Sequence, residues 1–415
     1  MYNPINKPVQ EYLTLSVVPK KHSEQFLGVI SVLGSLFQHI IYIDHGFRLE
    51  YTSNRGNLLN GDMKEEYRRH IIRKFLFIVV CMAAIVLVVG LSCNIGQDLS
   101  LAETYSLIYN HIIGVTYLER SPIWWQDYFI WNSVMPRLAV AVIAGASLAL
   151  GGTVMQSMMA NPLAEPYTTG IASGACFGAV AAIVAGVSFS TIAGQYGIVT
   201  NAFLFSLIPA FMIIAISRYV DATPATLVLV GTAISYFFNA MVTMLMVTTD
   251  ADTLQAAYLW QVGSLVGVTW SDVPLMLTVT AVCSVFVLYT ARNLNLMILG
   301  DNSAKSLGLN AGQYRIMCML MLSVMVASII SFTGIIGFVG LVSPHVVRMI
   351  IGSDNRFVAP ASMVAGALML LVADLLARSV SVTSEIPVGV VMAFIGSPIF
   401  LMLILFQKKG YGEVY

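Results

Sequence analysis

Long apolar runs, separated by short polar segments, fill the chain from about residue 75 to its end. An α-helix rises about 1.5 Å per residue and the hydrocarbon core of a bilayer is about 30 Å thick, so one crossing needs roughly twenty apolar residues. About ten runs meet this requirement. They begin near Phe75, Pro136, Thr169, Val199, Ala225, Val273, Gln313, Ile335, Ala359 and Ile386. The pattern predicts an all-α, polytopic membrane protein with about ten transmembrane helices.

Small residues recur at three- and four-residue spacings in two parts of this pattern. In lipid, where packing replaces the hydrophobic drive, such spacings let helix backbones approach closely. We therefore expect tight helix contacts at these positions. They are Gly145, Ser147, Gly151, Gly152, Gly334, Gly337, Gly340 and Ser343.

Composition supports the membrane assignment and excludes several kinds of function. Hydrophobic residues make up 58% of the chain and charged residues 10%, and the mean hydropathy is +0.81. These values lie outside the range of soluble globular proteins. The formal net charge is zero, so no attraction to nucleic acid is expected. The 5 cysteines and 6 histidines show no metal-ligand spacing, and we predict neither a metal site nor a bound cofactor in this chain.

The distribution of Lys and Arg predicts the orientation, because cytoplasmic loops carry the excess of both. With the N-terminus inside, about ten crossings leave only Arg120, Arg137 and Arg378 of the 21 basic residues on the outer side. Both termini are therefore predicted to be cytoplasmic.

The N-terminal region does not share this pattern. Residues 1–62 form a predicted extension, and residues 63–415 form the ten-helix membrane domain. An apolar stretch over 26–43 is marginal for a crossing, and counting it as one would move the following basic cluster outside, so an interfacial or loosely ordered helix is preferred. We hypothesise that translation begins at Met63. The run ending at Cys93 resembles a lipoprotein signal, but Gly90 stands where such signals have Leu, so a retained first helix is the preferred interpretation.

Nothing in the sequence predicts catalysis by this chain. The segment from Gly300 to Ser306 lacks the second glycine of a phosphate-binding loop. Among acidic residues, only Asp374 is predicted to lie within a run, and Arg378 follows one helical turn later, so that the two can pair. No relay of buried acids for ion coupling is evident, and the energy for any transport is expected from another chain.

Several blocks, in this order, resemble the permease subunit of FecCD-type ABC importers. They are PRLAVAVIAGASLALGGTVMQSMMANPLAEP, LVLVGTAISYFFNAMVT, LGDNSAKSLGLN, TGIIGFVGLVSPHVVRMIIGSDNRFVAP and ADLLARSVSVTSEIPVGVVMAFIGSPIFLMLIL. The resemblance implies the type II importer permease fold in the bacterial inner membrane, and a cargo of ferric siderophore, haem or cobalamin. It also implies a second permease copy, two cytoplasmic ATPase subunits that use ATP and Mg, and an external substrate-binding protein.

The loop between Arg292 and Arg315 falls on the cytoplasmic side, and residues 302–309 are predicted to form a short helix with a small apolar face. The resemblance implies that this element contacts the ATPase. The alternative is an ordinary connecting loop. The candidate coupling residues are Leu299, Gly300, Ala304, Leu307 and Gly308.

The NPLAEP segment, residues 161–166, is also predicted to be cytoplasmic, and its prolines make it stiff. The resemblance implies an inner gate, with Asn161 and Leu163 as candidate residues. The alternative is a turn that only ends a helix. Asn239 matches the family's pore-lining helix, where an amide would face water in the path.

Arg137 and Arg378 lie at the predicted outer surface, where the resemblance implies that they bind carboxylates of the substrate-binding protein. The family often has arginine at the position of Val134, so the number of such pairs is open. The alternative is that Arg137 reaches lipid headgroups and Arg378 pairs with Asp374. The sequence thus predicts the permease of an ATP-driven importer, and the alternatives are an ion-coupled secondary transporter and a structural or signalling membrane subunit without transport. Which chelate is carried, and whether the second permease copy is identical or a paralogue, stay open.

Overall fold

A computed structural model describes residues 60–97, 99–189, 195–380 and 386–410, with side chains described from residue 68 to residue 402 within these ranges. The predicted extension over 1–62 therefore lies outside the described residues, apart from the first residues of one helix. The described part of the chain contains helices and connecting loops but no strand. This confirms the predicted all-α class.

The α-helices follow one another with short connections. In chain order they are α1 (Asn60–Cys93), α2 (Leu101–Ile112), α3 (Pro122–Phe129), α4 (Met135–Met158), α5 (Ile171–Ala185), α6 (Gln195–Ile216), α7 (Pro224–Val247), α8 (Ala251–Val262), α9 (Val273–Tyr289), α10 (Ala291–Ile298), α11 (Asp301–Ser306), α12 (Ala311–Thr333), α13 (Val339–Ile351), α14 (Asn355–Val380) and α15 (Val388–Gly410). A π-helical turn, Ile130–Val134, joins α3 to α4, and a 3₁₀ turn, Pro166–Thr169, precedes α5.

Each predicted apolar run corresponds to a helix in the structure. Within the described residues, 6 helices are long and apolar enough to cross a bilayer: α1, the continuous α3 to α4 unit, α6, α7, α12 and α14. The pair α9 and α10 makes a seventh if it counts as one span bent by 62°. The helices α5 and α13 are shorter than a full crossing, whereas α15 has 23 residues, with side chains described only up to Met402. Among the residues with described side chains, length alone therefore supports 6 or 7 complete crossings, and the predicted number of about ten stays a prediction.

Helix α4 is the centre of the bundle, since 20 of its 24 residues are buried. It packs antiparallel against α14 over its whole length. In the middle of this contact, a Cβ atom added to Gly145 would lie 2.4 Å from the carbonyl oxygen of Gly366. The two backbones touch there without intervening side chains.

A second backbone contact joins α4 to α13. A Cβ atom added to Gly152 would lie 1.7 Å from the carbonyl oxygen of Gly340. The predicted role of small residues in close packing is thus confirmed for Gly145, Gly152 and Gly340. It is wrong for Gly337, which lies in the extended connection before α13 and has no described atom within 4 Å of its Cβ position.

Helices α2 and α3 were not predicted, and they form a cap at the outer end of α4. His111 of α2 lies 2.8 Å from the carboxylate of Asp127 and stacks on the ring of Trp131 at 4.1 Å between centroids. The indole N–H of Trp270 donates to the carbonyl oxygen of Trp131. Aromatic residues concentrate at membrane interfaces, so this cap marks the outer boundary of the bundle.

We predict that Gly152→Ala destabilises the protein by about 1–3 kcal/mol, because the added methyl group must force the α4 and α13 backbones apart. Gly312→Ala is the matched control, since its Cβ atom would have only Asn310 Oδ1 nearby, at 3.8 Å. Thermal unfolding of the purified protein in detergent measures both. Equal midpoints for the two variants would contradict the proposed contact.

Candidate functional site

We call residues 159–170, which join α4 to α5, the return segment. Asn161 closes α4, because its backbone N–H donates to the carbonyl oxygen of Gln156 at 3.0 Å. Its side-chain oxygen then accepts from the backbone N–H of Leu163 at 2.9 Å. Asn161 is exposed, and Leu163 keeps 43% of its surface open. The two candidate gate residues therefore lie together at the accessible tip of the segment, and a gate at this point stays a prediction.

The return segment runs back into the bundle after this tip. A Cβ atom on Gly151 would lie 3.3 Å from Cγ of Pro166, and one on Gly231 would lie 2.4 Å from the carbonyl oxygen of Thr168. Gly151 precedes the inner end of α4 by seven residues, and Gly231 follows the inner end of α7 by seven. At 1.5 Å per residue, both contacts place the segment about 10 Å inside those ends.

The contacts place Pro166, with Glu165 beside it, between the inner ends of the helices, and the predicted cytoplasmic location stays a prediction. Glu165 accepts a hydrogen bond from the backbone N–H of Phe338, and the hydroxyl group of Tyr167 donates to the carbonyl oxygen of Ile336 at 2.9 Å. Both partners belong to the connection between α12 and α13. The local sequence gave no sign that the return segment lies beside this connection.

We call residues 299–308 the coupling segment. It contains α11, Asp301–Ser306, which lies close to the short helix predicted over 302–309. Gly300 and Gly308 flank α11 with φ of 87° and 88°, backbone conformations that glycine adopts without strain. Leu299 and Leu307 are exposed by 59% and 60%. Ala304 is fully buried inside the chain, so its predicted place on a partner-facing surface is wrong. The apolar groups open to a partner are Leu299 and Leu307.

A buried arginine that sequence reasoning did not single out joins this segment to the end of α4. Arg315 is only 1% exposed, and its Nη2 lies 2.5 Å from Oδ1 of Asp301, the first residue of α11. Its Nε donates to the carbonyl oxygen of Met158 at 3.1 Å, and its Nη1 donates to that of Ala222 at 2.5 Å. One guanidinium group thus contacts α11, α4 and the loop before α7.

The preceding helix α10 is attached to α14 by a second polar contact. Asn295 Oδ1 accepts from the backbone N–H of Asn355 at 2.8 Å, and its amide nitrogen donates to Asp354 at 2.9 Å. Asp354 also pairs with Arg356, whose hydrogen bonds lower the pKa of Asp354 to about 2. The carboxylate is therefore charged at neutral pH, and it fixes the start of α14.

Polar residues also hold the inner half of α4 against α13. The guanidinium group of Arg348 donates to Gln156, to the carbonyl oxygen of Thr153 and to the hydroxyl group of Ser157. Gln156 in turn donates to the carbonyl oxygen of Leu341 at 3.1 Å. The glutamine within this apolar helix thus serves a contact between helices.

At the outer end, α4 and α14 are joined by a buried ion pair. Arg137 Nε lies 2.8 Å from Oδ1 of Asp374, and the side chains are 8% and 0% exposed. Arg378 Nε lies 3.9 Å from Oδ2 of the same carboxylate, and Arg378 also donates to the carbonyl oxygen of Ser92. The predicted pairing of Arg378 with Asp374 is thus present, but Arg137 makes the shorter contact with the same carboxylate. Binding of a partner protein by these arginines stays a prediction.

Asn239 lies on an exposed stripe of α7 with Thr232, Tyr236 and Thr243, which follow one another at helical spacing. The two threonine hydroxyls donate to carbonyl oxygens of α7 itself. Among the described residues, no side-chain hydrogen bond is seen for the Asn239 amide or for the Tyr236 hydroxyl group. Tyr236 as a whole is 74% exposed. Unsatisfied polar groups are costly against lipid, so this stripe suits a water-filled path or a protein partner.

Comparisons with known proteins agree on one group. A profile of the FecCD transport family matches residues 82–406. The hemin transport system permease protein HmuU of Yersinia pestis is 37% identical over 285 residues, which cover 68% of this chain and 85% of that protein. The cobalamin import system permease protein BtuC of Halobacterium salinarum is 39% identical over 271 residues, which cover 65% of this chain and 71% of that protein. A solved structure of an ABC transporter assigned to the metal-chelate type, in an inward-facing conformation, has a TM-score of 0.68 at 28% identity and covers 79% of this chain and 98% of that chain.

We predict that Asp374→Ala destabilises the protein by about 3–5 kcal/mol, because it leaves the buried guanidinium group of Arg137 without its carboxylate. A variant with Arg137→Met, Asp374→Leu and Arg378→Met should recover most of this loss, since it removes all three charges of the cluster. Arg356→Ala, at the exposed ion pair with Asp354, should cost less than about 1 kcal/mol. Thermal unfolding in detergent compares the three, and an Asp374→Ala protein as stable as Arg356→Ala would refute the assignment.

Proposed function

The chain belongs to the FecCD transport family, and from that premise we propose that it is the permease subunit of an ABC importer that carries a metal chelate into the cytoplasm. It is a multi-pass protein of the inner membrane with the all-α permease fold of type II importers. Hemin and cobalamin are the cargoes named for two of its relatives. The same class of large, metal-containing organic molecules, ferric siderophores included, is the proposed cargo here.

The observation that carries this proposal is the agreement between the family match and the geometry at the inner end. The match extends over residues 82–406 and so includes the return segment, the coupling segment and the helices between them. An exposed short helix with two apolar side chains suits the groove of a partner protein. A stiff segment that enters the bundle from the same side suits a gate.

The proposed ATPase partners bind the coupling segment through Leu299 and Leu307, and ATP and Mg are used in those partners. Two permease copies with two ATPase subunits form the proposed complex, and a substrate-binding protein delivers the cargo at the outer end. In such a complex, the exposed stripe of α7 with Asn239 lines the path between the copies. Binding of ATP and of the loaded receptor favours different states, so the path opens alternately to either side.

Reconstitution into liposomes with a cognate ATPase and substrate-binding protein tests the function. We expect ATP-dependent accumulation of one of three labelled probes: haem, cyanocobalamin or a ferric hydroxamate siderophore. An ATPase variant unable to hydrolyse ATP is the control and should abolish uptake. Uptake that needs no ATPase and collapses with an uncoupler would instead support an ion-coupled carrier.

We predict that the double substitution Leu299→Asp and Leu307→Asp weakens ATPase binding about tenfold or more, because it places charge in an apolar contact. Leu118→Asp is the matched control, since Leu118 is 84% exposed but lies in the loop between α2 and α3 at the opposite end. Co-purification and titration of the ATPase in detergent measure the effect. Equal ATPase affinity for the two variants would exclude the proposed contact.

A further inference from the structure

We propose that Arg315 is a positioning residue that transmits movement of the coupling segment to the return segment. This inference rests on the proposed function, because it assumes that a partner ATPase displaces α11. Its basis is the position of one buried guanidinium group between the two segments. The role concerns coupling between ATPase and gate, and it assigns Arg315 no contact with cargo or nucleotide.

The contacts of Arg315 divide between an element open to a partner and elements inside the bundle. Asp301 stands at the first position of α11, and its side chain keeps 41% of its surface exposed. Arg315 itself lies in α12 and is buried. On the other side, the carbonyl oxygen of Met158 belongs to the last turn of α4, directly before the return segment.

The geometry of the guanidinium group links these contacts mechanically. The carboxylate of Asp301 accepts hydrogen bonds from both terminal nitrogens of Arg315, at 2.5 and 3.2 Å, so the pair is bidentate. The same planar group donates through Nε to Met158 and through Nη1 to Ala222. Because the donors of arginine form a rigid fork, the group cannot follow Asp301 without changing its bonds to the two carbonyl oxygens.

The carbonyl oxygen of Met158 lies at the end of α4, where the return segment begins, so its hydrogen bond helps to hold the start of that segment in place. The last carbonyls of a helix have no partner within it, and a cation there is favourable for the helix dipole. Arg315 supplies both the hydrogen bond and the charge. When α11 moves and Arg315 is drawn away, the end of α4 loses this support, and the return segment becomes free to change position.

The two ends of the region differ in a way that allows such movement. Asn295 attaches α10 to the start of α14 through two hydrogen bonds, which makes a fixed point. Beyond it, α11 lies between Gly300 and Gly308, where glycine lets the backbone turn with little resistance. A partner pressing on α11 would therefore move Asp301 more than Asn295.

The test uses Leu163→Cys as a reporter in the complete complex of permease, ATPase and binding protein. The native cysteines are buried, so a maleimide reagent should label position 163 selectively. Labelling rates are measured without nucleotide and with a non-hydrolysable ATP analogue at saturating concentration. In the otherwise unaltered complex, we expect the analogue to change the rate about fivefold or more.

Asp301→Ala should remove this nucleotide effect while the complex still assembles, because it cuts the link to α11 and leaves Arg315 its two carbonyl partners. Asp301→Glu, which keeps the carboxylate, should restore at least part of the effect. Arg356→Ala is the matched control, since it removes another ion pair on the cytoplasmic side, and it should keep the effect. Arg315→Lys should behave like Asp301→Ala, because one ammonium group cannot hold all three partners.

An Asp301→Ala complex in which the analogue still changes labelling to the unaltered extent would overturn the inference and leave the proposed function intact. Loss of the effect in Arg356→Ala as well would also overturn it, since the response would then not depend on this link. Failure of the unaltered chain to bind the ATPase, or to respond to the analogue, would overturn the proposed function and the inference with it.

Discussion

The close approach of α4 to its neighbours is the constraint on which the bundle depends. Lipid tails are as apolar as leucine side chains, so helices in a membrane gain little by hiding apolar surface from them. Contact between backbones must supply the cohesion. Gly145 and Gly152 let α14 and α13 reach the α4 backbone, and they leave no room for even a methyl group. The same two helices, α14 and α13, also make the polar contacts with α4 at its outer and inner ends.

Polar groups in this protein lie mainly where helices end, and they bind two or more elements at once. Arg137 with Asp374 closes the outer end of the α4 and α14 pair, while Ser157 donates to Asn355 at the inner end at 3.1 Å. Arg137 and Ser157 lie 20 positions apart in α4, which corresponds to about 30 Å of helix, the thickness of the hydrocarbon core. The pair is therefore apolar and tight through the bilayer, and it is fastened by polar contacts at both surfaces.

The sequence predicted those features that depend on local pattern. Each apolar run became a helix, and the short helix after Leu299 was found within one to three residues of its expected bounds. What it could not supply were contacts between distant segments. Arg137 and Asp374 are separated by 237 positions, so the neighbouring Arg378 was the only visible partner for that carboxylate. From the sequence, Arg315 was one more cytoplasmic charge and Ala304 was part of an exposed face. The spacing of residues in a short segment does not show which side of it other helices will cover.

The shortness of α5 and α13 has a consequence for how the protein is assembled. With 15 and 13 residues, neither helix can cover the hydrocarbon core alone. The backbone of the return segment, and of the connection before α13, would face lipid if either helix entered the membrane by itself, at a high cost in unpaired polar groups. Both must therefore settle against helices already in place. The place of α5 and α13 in the bilayer therefore depends on their neighbours rather than on their own length.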